Sequence, residues 1–160
     1  MGCEDQVIRL VHHVSDGFQQ NKPKKTVMAL FDYSKAYDKT WREKLILKLA
    51  ELGAPSQIIR WIAAFLRTRT AQVSVNAALS DKTRLKQGLP QGSVLWPLLF
   101  LIFINDLVDN IPEGVECSLF ADDAALYCSH ESLEKAETLL QRGVQAVEEW
   151  SVKNKLELNH

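Results

Sequence analysis

Val7, Leu10, Val11, Val14 and Phe18 recur at intervals of three and four, the period of an α-helix, and predict one over Glu4 to Gln20. Asn21-Lys22-Pro23 ends it. Thr26-Val27-Met28-Ala29-Leu30-Phe31 is a short apolar run before Asp32 and reads as a buried strand. Trp41 to Leu52 is an amphipathic helix stopped by Gly53, with Leu45, Leu49 and Leu52 on one face. Pro55 opens the next helix, which runs to about Arg67 and carries Ile58, Ile59, Ile62, Phe65 and Leu66. From Ala71 to Ala77 the period changes to two: Val73, Val75 and Ala77 alternate with Gln72, Ser74 and Asn76, a strand with which Lys82 to Lys86 can pair as a hairpin. Gly88 to Gly92 is a loop, and Ser93 is a candidate N-cap for an apolar helix ending near Ile111. Glu116 to Phe120 and Ala124 to Cys128 predict two short strands around Asp122-Asp123. Ser132 to Trp150 predicts a long helix with Leu133, Leu139, Leu140, Val144, Val147 and Trp150 inward, and Leu156 to Leu158 a last strand.

Strands joined by tight turns, with helices between them, indicate an antiparallel sheet with helices packed on one face, an α+β domain. No repeat or low-complexity linker divides the chain, so residues 1–160 are expected to belong to one domain. The longest apolar run, Val94 to Ile104, is 11 residues. A membrane span needs ~20, so this run predicts a buried core helix and no membrane partner. Glu4, Asp5 and Arg9 interrupt the first apolar residues, so no N-terminal signal peptide is expected. Cys3, Cys117 and Cys128 form no CxxC and cannot all pair with one another. They are expected to be reduced thiols of an intracellular protein, nuclear or cytoplasmic.

With 46% apolar and 24% charged residues, the chain can bury a core, and its Gly and Pro counts exclude collagen-like chains and wholesale disorder. The net charge of −1 conceals three blocks. Residues 1–21 carry one basic and three acidic side chains (−2), residues 22–86 carry 14 and five (+9), and residues 87–160 carry four and 12 (−8). A basic middle suits an anionic partner, and an acidic end suits metal sites or a solvated helix.

Three places concentrate candidate chemistry. Asp32 ends the first strand. Gln87-Gly88-Leu89-Pro90-Gln91-Gly92-Ser93 is a stiff polar loop feeding an apolar helix. Asp122-Asp123 stands between two apolar strands. Two carboxylates ~4 Å apart repel by ~4 kcal/mol at an effective dielectric near 20. A fold accepts that at a wet turn, or around a divalent cation. Hard oxygen donors suit Mg²⁺ or Mn²⁺, and no His or Cys cluster offers zinc instead. Taken singly, Asp122-Asp123 also reads as a polar hairpin turn and Asp32 as an N-cap.

Taken together these places resemble the reverse transcriptase domain of non-LTR (LINE-type) retrotransposons. The likeness is carried by Leu30-Phe31-Asp32-Tyr33-Ser34-Lys35-Ala36-Tyr37-Asp38 and by Gln87-Gly88-Leu89-Pro90-Gln91-Gly92-Ser93-Val94-Leu95. Pro97-Leu98-Leu99-Phe100, Ile104-Asn105-Asp106-Leu107 and Leu119-Phe120-Ala121-Asp122-Asp123 follow in the family's order and spacing. The resemblance implies a polymerase palm with partial fingers and no thumb, performing two-metal nucleotidyl transfer from dNTP to a primer 3′-OH on an RNA template.

By position, Asp32 and Asp122 would bind the two Mg²⁺ (or Mn²⁺) ions, with Asp123 as their neighbour and the Tyr33 carbonyl helping to hold the metal that carries the triphosphate. Lys35 and Ala36 would turn backbone N–H groups to the triphosphate. Tyr37 would lie under the sugar and exclude a 2′-OH; otherwise it is a core aromatic. Gln91 and Gly92 would approach the incoming nucleotide and the template base. Arg60, Arg67, Arg69, Lys82, Arg84 and Lys86 would add salt-sensitive phosphate contacts to the template and primer, and His12-His13 reads as structural. Two departures stand out. The chain is short for a working enzyme, which makes it a palm-centred piece of a longer polyprotein, expected to be inactive alone. Trp96 replaces the small residue usual between Leu95 and Pro97. Alternatives are a non-catalytic palm remnant that at most binds nucleic acid, and another two-metal palm such as a nucleotidyl cyclase. The loop at Leu89-Pro90-Gln91-Gly92-Ser93 argues against a cyclase, which has no template to position.

Overall fold

The computed structural model describes residues 3–159, with side chains from Glu4 onward, so the Cys3 thiol and His160 lie outside the described residues. In chain order the elements are α1 (Cys3–Phe18), β1 (Lys25–Phe31), α2 (Ala36–Lys39), α3 (Arg42–Glu51), α4 (Ser56–Arg67), β2 (Thr70–Ala71), β3 (Ser74–Val75), β4 (Ala78–Leu79), β5 (Thr83–Arg84), α5 (Trp96–Ile104), a 3₁₀ turn (Asn105–Asn110), β6 (Glu116–Phe120), β7 (Asp123–His130) and α6 (Leu133–Asn154). They fall into two compact units: a sheet unit, residues 1–34 with 106–160, and a helical unit, residues 35–105.

The sheet unit is built on three antiparallel strands in the order β1-β7-β6. β1 pairs with β7 from Lys25↔His130 to Phe31↔Ala124, and β6 with β7 from Glu116↔Tyr127 to Phe120↔Asp123. Successive side chains on a strand point to opposite faces. The Leu126 and Cys128 face receives α6. A Cβ added to Gly143 would stand 3.1 Å from Leu126 Cδ1, and Cys128 Sγ donates to the Ala136 carbonyl at 3.3 Å. The α+β palm-like architecture is thus as expected, with α6 covering one face. α1 lies across the other, where the His13 ring stands edge-on to Tyr127 at 4.9 Å and its Nε2 lies 2.9 Å from Ser129 Oγ.

Helical periodicity misjudged which residues of these helices face inward. In α6 Val147 and Trp150 are buried as expected, but Leu133 is exposed, and Ala136 and Gly143 take inward places. Small residues there let the helix approach the sheet closely. In α1 the apolar Val7, Val11 and Phe18 are exposed, and His13 and Gly17 turn toward the sheet. The expected strand at Leu156 to Leu158 is a single bridge, Tyr33↔Leu158. Cys117 and Cys128 are free thiols.

The helical unit packs α3 against α4 and α5 through Leu45, Leu49, Ile62, Leu66, Leu99, Phe100 and Phe103. Here too the inward face of α3 departs from expectation. Leu52 is exposed, whereas Arg42 and Lys48 are buried; the Lys48 ammonium donates to the Phe103 carbonyl at 2.6 Å and lies 4.6 Å from the Phe103 ring centroid. Ser93 is not the N-cap of α5. Leu95 is, and Ser93 Oγ is buried without a hydrogen-bond partner. The apolar helix ends at Ile104 and continues to Asn110 only as a 3₁₀ turn. It is buried on one side alone, because Leu98 and Leu101 are half exposed. The strand expected from Ala71 to Ala77 breaks into two nested ribbons, β2 with β5 and β3 with β4. Asn76 and Ala77 both take positive φ and turn the chain back there, the backbone of a tight two-residue hairpin. No helix among the described residues is long and apolar enough to cross a membrane.

Candidate active site

Asp32 is the first residue beyond β1, and Asp122 and Asp123 close the β6–β7 hairpin. Phe31 stands opposite Ala124, so continuing the β1–β7 register by one brings Asp32 abreast of Asp123, with Asp122 next to it in the turn. The hairpin turns on Ala121 and Asp122, and Ala121 has φ 53°. That conformation costs a non-glycine residue roughly 1 kcal/mol and marks the turn as locally strained. All three acidic residues therefore lie at one end of the sheet. Asp32 and Asp123 are exposed and Asp122 is half-buried.

The segment after α6 holds Asp32 in place. The Asn159 N–H donates to the Asp32 carbonyl at 2.8 Å, and Asn159 Nδ2 donates to Asp32 Oδ2 at 2.6 Å. The Ser34 N–H donates to the Glu157 carbonyl at 2.8 Å. These two backbone bonds flank Tyr33 and Leu158, so the backbone groups of that pair point away from each other. The Tyr33 ring is buried. Ser151 Oγ gives its proton to the Val147 carbonyl at 2.6 Å, so the Tyr33 hydroxyl, 3.1 Å from Ser151 Oγ, is the donor between them. Burial raises the Tyr33 pKa above its ordinary value. Asn159 is a site residue that sequence reasoning missed, because nothing along the chain marks it as the partner of Asp32 across the fold.

The remaining expected positions belong to the helical unit. Lys35 takes the left-handed conformation (φ 51°, ψ 43°) and is followed by helical Ala36, an alternation that turns successive N–H groups to one side. The loop from Gln87 to Ser93 docks on α2. Gly88 N–H donates to the Thr40 carbonyl at 2.9 Å, Leu89 N–H to the Tyr37 carbonyl at 2.7 Å, and Gln91 Nε2 to Asp38 Oδ1 at 3.0 Å. Gly88 is required there: its φ is +78°, and a Cβ would lie 2.4 Å from the Asp38 carbonyl oxygen. Gly92 (φ +85°) has open space around it. Arg42 fastens the loop from below, donating to the carbonyls of Gly88 (2.6 Å), Leu66 (2.7 Å) and Leu85 (2.6 Å). Burial lowers its pKa from the ordinary guanidinium value. Sequence reasoning passed over Arg42 because a charged residue in an amphipathic helix reads as solvated.

Tyr37 is half-buried in an aromatic trio. Its ring centroid lies 4.5 Å from that of Trp96 and 4.6 Å from that of Phe100, both edge-on. Trp96 thus contacts the residue to which the resemblance assigns sugar selection.

The donors suit a hard divalent cation in kind: exposed carboxylates, a backbone carbonyl, and no competing thiolate or imidazole. Among the described residues, however, no three His, Cys, Asp or Glu side chains are close enough together to hold a metal ion. The carboxylates share an address and would have to close in around an ion to bind it.

Residues 3–160 match the family model described as reverse transcriptase (RNA-dependent DNA polymerase). Over 156 residues the chain is 30% identical to the RNA-directed DNA polymerase from mobile element jockey of Drosophila melanogaster, covering 94% of this chain and 17% of that protein. Over 162 residues it is 31% identical to the probable RNA-directed DNA polymerase from transposon BS of the same organism, covering 97% of this chain and 17% of that protein. The chain thus spans about a sixth of the length of these relatives. Apo telomerase from Candida Tropicalis shares the fold, with a TM-score of 0.78 over 99% of this chain and 34% of that one, at 17% identity. The order of strand, loop and hairpin, and the family model matched along nearly the whole length, lead to one assignment: the chain belongs to the reverse transcriptase (RNA-dependent DNA polymerase) family.

Proposed function

We propose that this chain is the palm-centred part of a reverse transcriptase that extends a DNA primer on an RNA template with dNTPs, and that segments of a longer polyprotein supply the fingers and thumb. The observation that carries the reading is the placing of Asp32 and the Asp122-Asp123 hairpin at the same end of one sheet. Asp32, Asp122 and Asp123, with the Tyr33 carbonyl, would hold two Mg²⁺ or Mn²⁺ ions. Such ions lower the pKa of the primer 3′-OH and neutralise the triphosphate and leaving pyrophosphate.

The protein's own part is positioning. Asn159 orients the Asp32 carboxylate, Lys35 and Ala36 offer N–H groups to the triphosphate, Tyr37 excludes the 2′-OH, and Gln91 with Gly92 faces nucleotide and template. Gln91 is held by Asp38, so its approach to a nucleotide exchanges one hydrogen bond for another.

Primer extension on poly(rA)/oligo(dT) with Mg²⁺ or Mn²⁺ tests this, using the 160-residue chain and a form lengthened at both ends. The lengthened form should synthesise DNA and lose at least about a hundredfold in rate with Asp122→Asn, because charge stabilisation at phosphoryl transfer is most of the catalysis. The chain alone should give little processive product. Synthesis untouched by Asp122→Asn, or absent from the lengthened form, would overturn the assignment.

A further inference from the structure

α4 carries an aromatic outer face. Trp61 and Phe65, one helical turn apart, stack with ring planes 6° from parallel and centroids 5.8 Å apart. The Arg69 guanidinium lies over the Phe65 ring, 5.3 Å from its centroid. Trp61 is 56% exposed and Ile58 48% exposed, so the ladder is open at its Trp61 end. α4 and the turn after it carry Arg60, Arg67 and Arg69 and no acidic residue. An open indole face extended by a stacked phenyl ring and a guanidinium, on a basic surface, is complementary to a flat unpaired base beside a phosphate. A base inside a duplex is stacked on both sides and offers no free face to such a ladder.

We propose that Trp61, Phe65 and Arg69 form a stacking platform for single-stranded nucleic acid, with a base on Trp61 and a phosphate near Arg69. This deepens the polymerase reading and rests on it for the class of partner. It uses no residue of the carboxylate site, so its failure can be told apart from the failure of that reading.

The test uses the 160-residue chain in EDTA, titrated against labelled oligo(U) and against a long labelled duplex without loops or overhangs, with anisotropy read at several salt concentrations. Trp61→Ala should weaken oligo(U) binding about tenfold or more while leaving its salt slope and the duplex affinity unchanged. Trp61→Phe should retain most of the affinity and show that the ring is what matters. Arg69→Gln should flatten the salt slope by about one phosphate contact. EDTA removes any metal the carboxylates would need, so this binding is read apart from the catalytic assignment. If both Trp61 variants bind oligo(U) like the parent, the platform is refuted. It is equally refuted if Trp61→Ala weakens duplex and single strand alike, or if the parent binds no oligo(U), an outcome that assigns this face to a protein partner.

Discussion

At the scale of single residues, the two glycines of the loop differ in kind. Both take positive φ, but Gly88 presses against the Asp38 carbonyl and Gly92 faces open space. Gly88→Ala should cost several kcal/mol, since a clash with backbone adds to left-handed strain, whereas Gly92→Ala should cost about 1 kcal/mol from strain alone. Urea denaturation of the two variants measures the difference; equal losses would show that the docking of the loop on α2 contributes nothing. Ala121 accepts the same kind of strain in the turn that carries Asp122, and Asn159 holds Asp32 twice, its backbone N–H on the Asp32 carbonyl and its side-chain amide on the carboxylate.

Elements are joined here by charged side chains spent on backbone carbonyls. Arg42 binds the ends of three segments: the last turn of α4 at Leu66, the chain after β5 at Leu85, and the loop at Gly88. Removing it leaves three carbonyls short of a donor in a buried place. Arg42→Ala should therefore destabilise the fold by about 3 kcal/mol or more, and Arg42→Lys should recover only a small part, because an ammonium lacks the planar fork that reaches all three. Guanidinium chloride unfolding of both variants checks this, and a full rescue by Lys would mean that charge alone suffices. α6 makes the complementary point, since its contact with the sheet depends on the absence of side chains at Ala136 and Gly143 as much as on Val147 and Trp150.

For the molecule as a whole, charge follows the division into units. The helical unit holds 11 Lys and Arg against four Asp and Glu (+7), and the sheet unit eight against 16 (−8). Stability should also carry a pH signature. Burial pushes the Cys117 thiol up to about 11 from 9.0, and raises Cys128, Tyr33 and Tyr127 as well. Each ionises in the unfolded chain before it does so in the folded one. Its contribution is complete below the unfolded value and is lost as pH rises through the folded value, so stability should fall from about pH 9 to about pH 11. Denaturation midpoints across that range, for the parent and for Cys117→Ala, measure the slope. A decline of the same steepness in both would remove Cys117 from the account.

The motifs around Asp32, Gln91 and Asp122 were legible in the sequence because chemistry restricts which residue types can stand there. Most of the strand and helix spans were legible too, because burial imposes a period on them. Which face of a helix turns inward was decided by the tertiary structure. Periodicity counts apolar side chains and cannot register that Gly143 admits close approach, that Arg42 and Lys48 find carbonyls to bond, or that Val7 and Val11 stay exposed. The breaking of the expected strand into two ribbons at Asn76-Ala77, the hold of Asn159 on Asp32 and the contact of Trp96 with Tyr37 were likewise invisible along the chain. Each depends on residues meeting across the fold, and local sequence constrains only the conformations a segment can adopt, not the partner it finds.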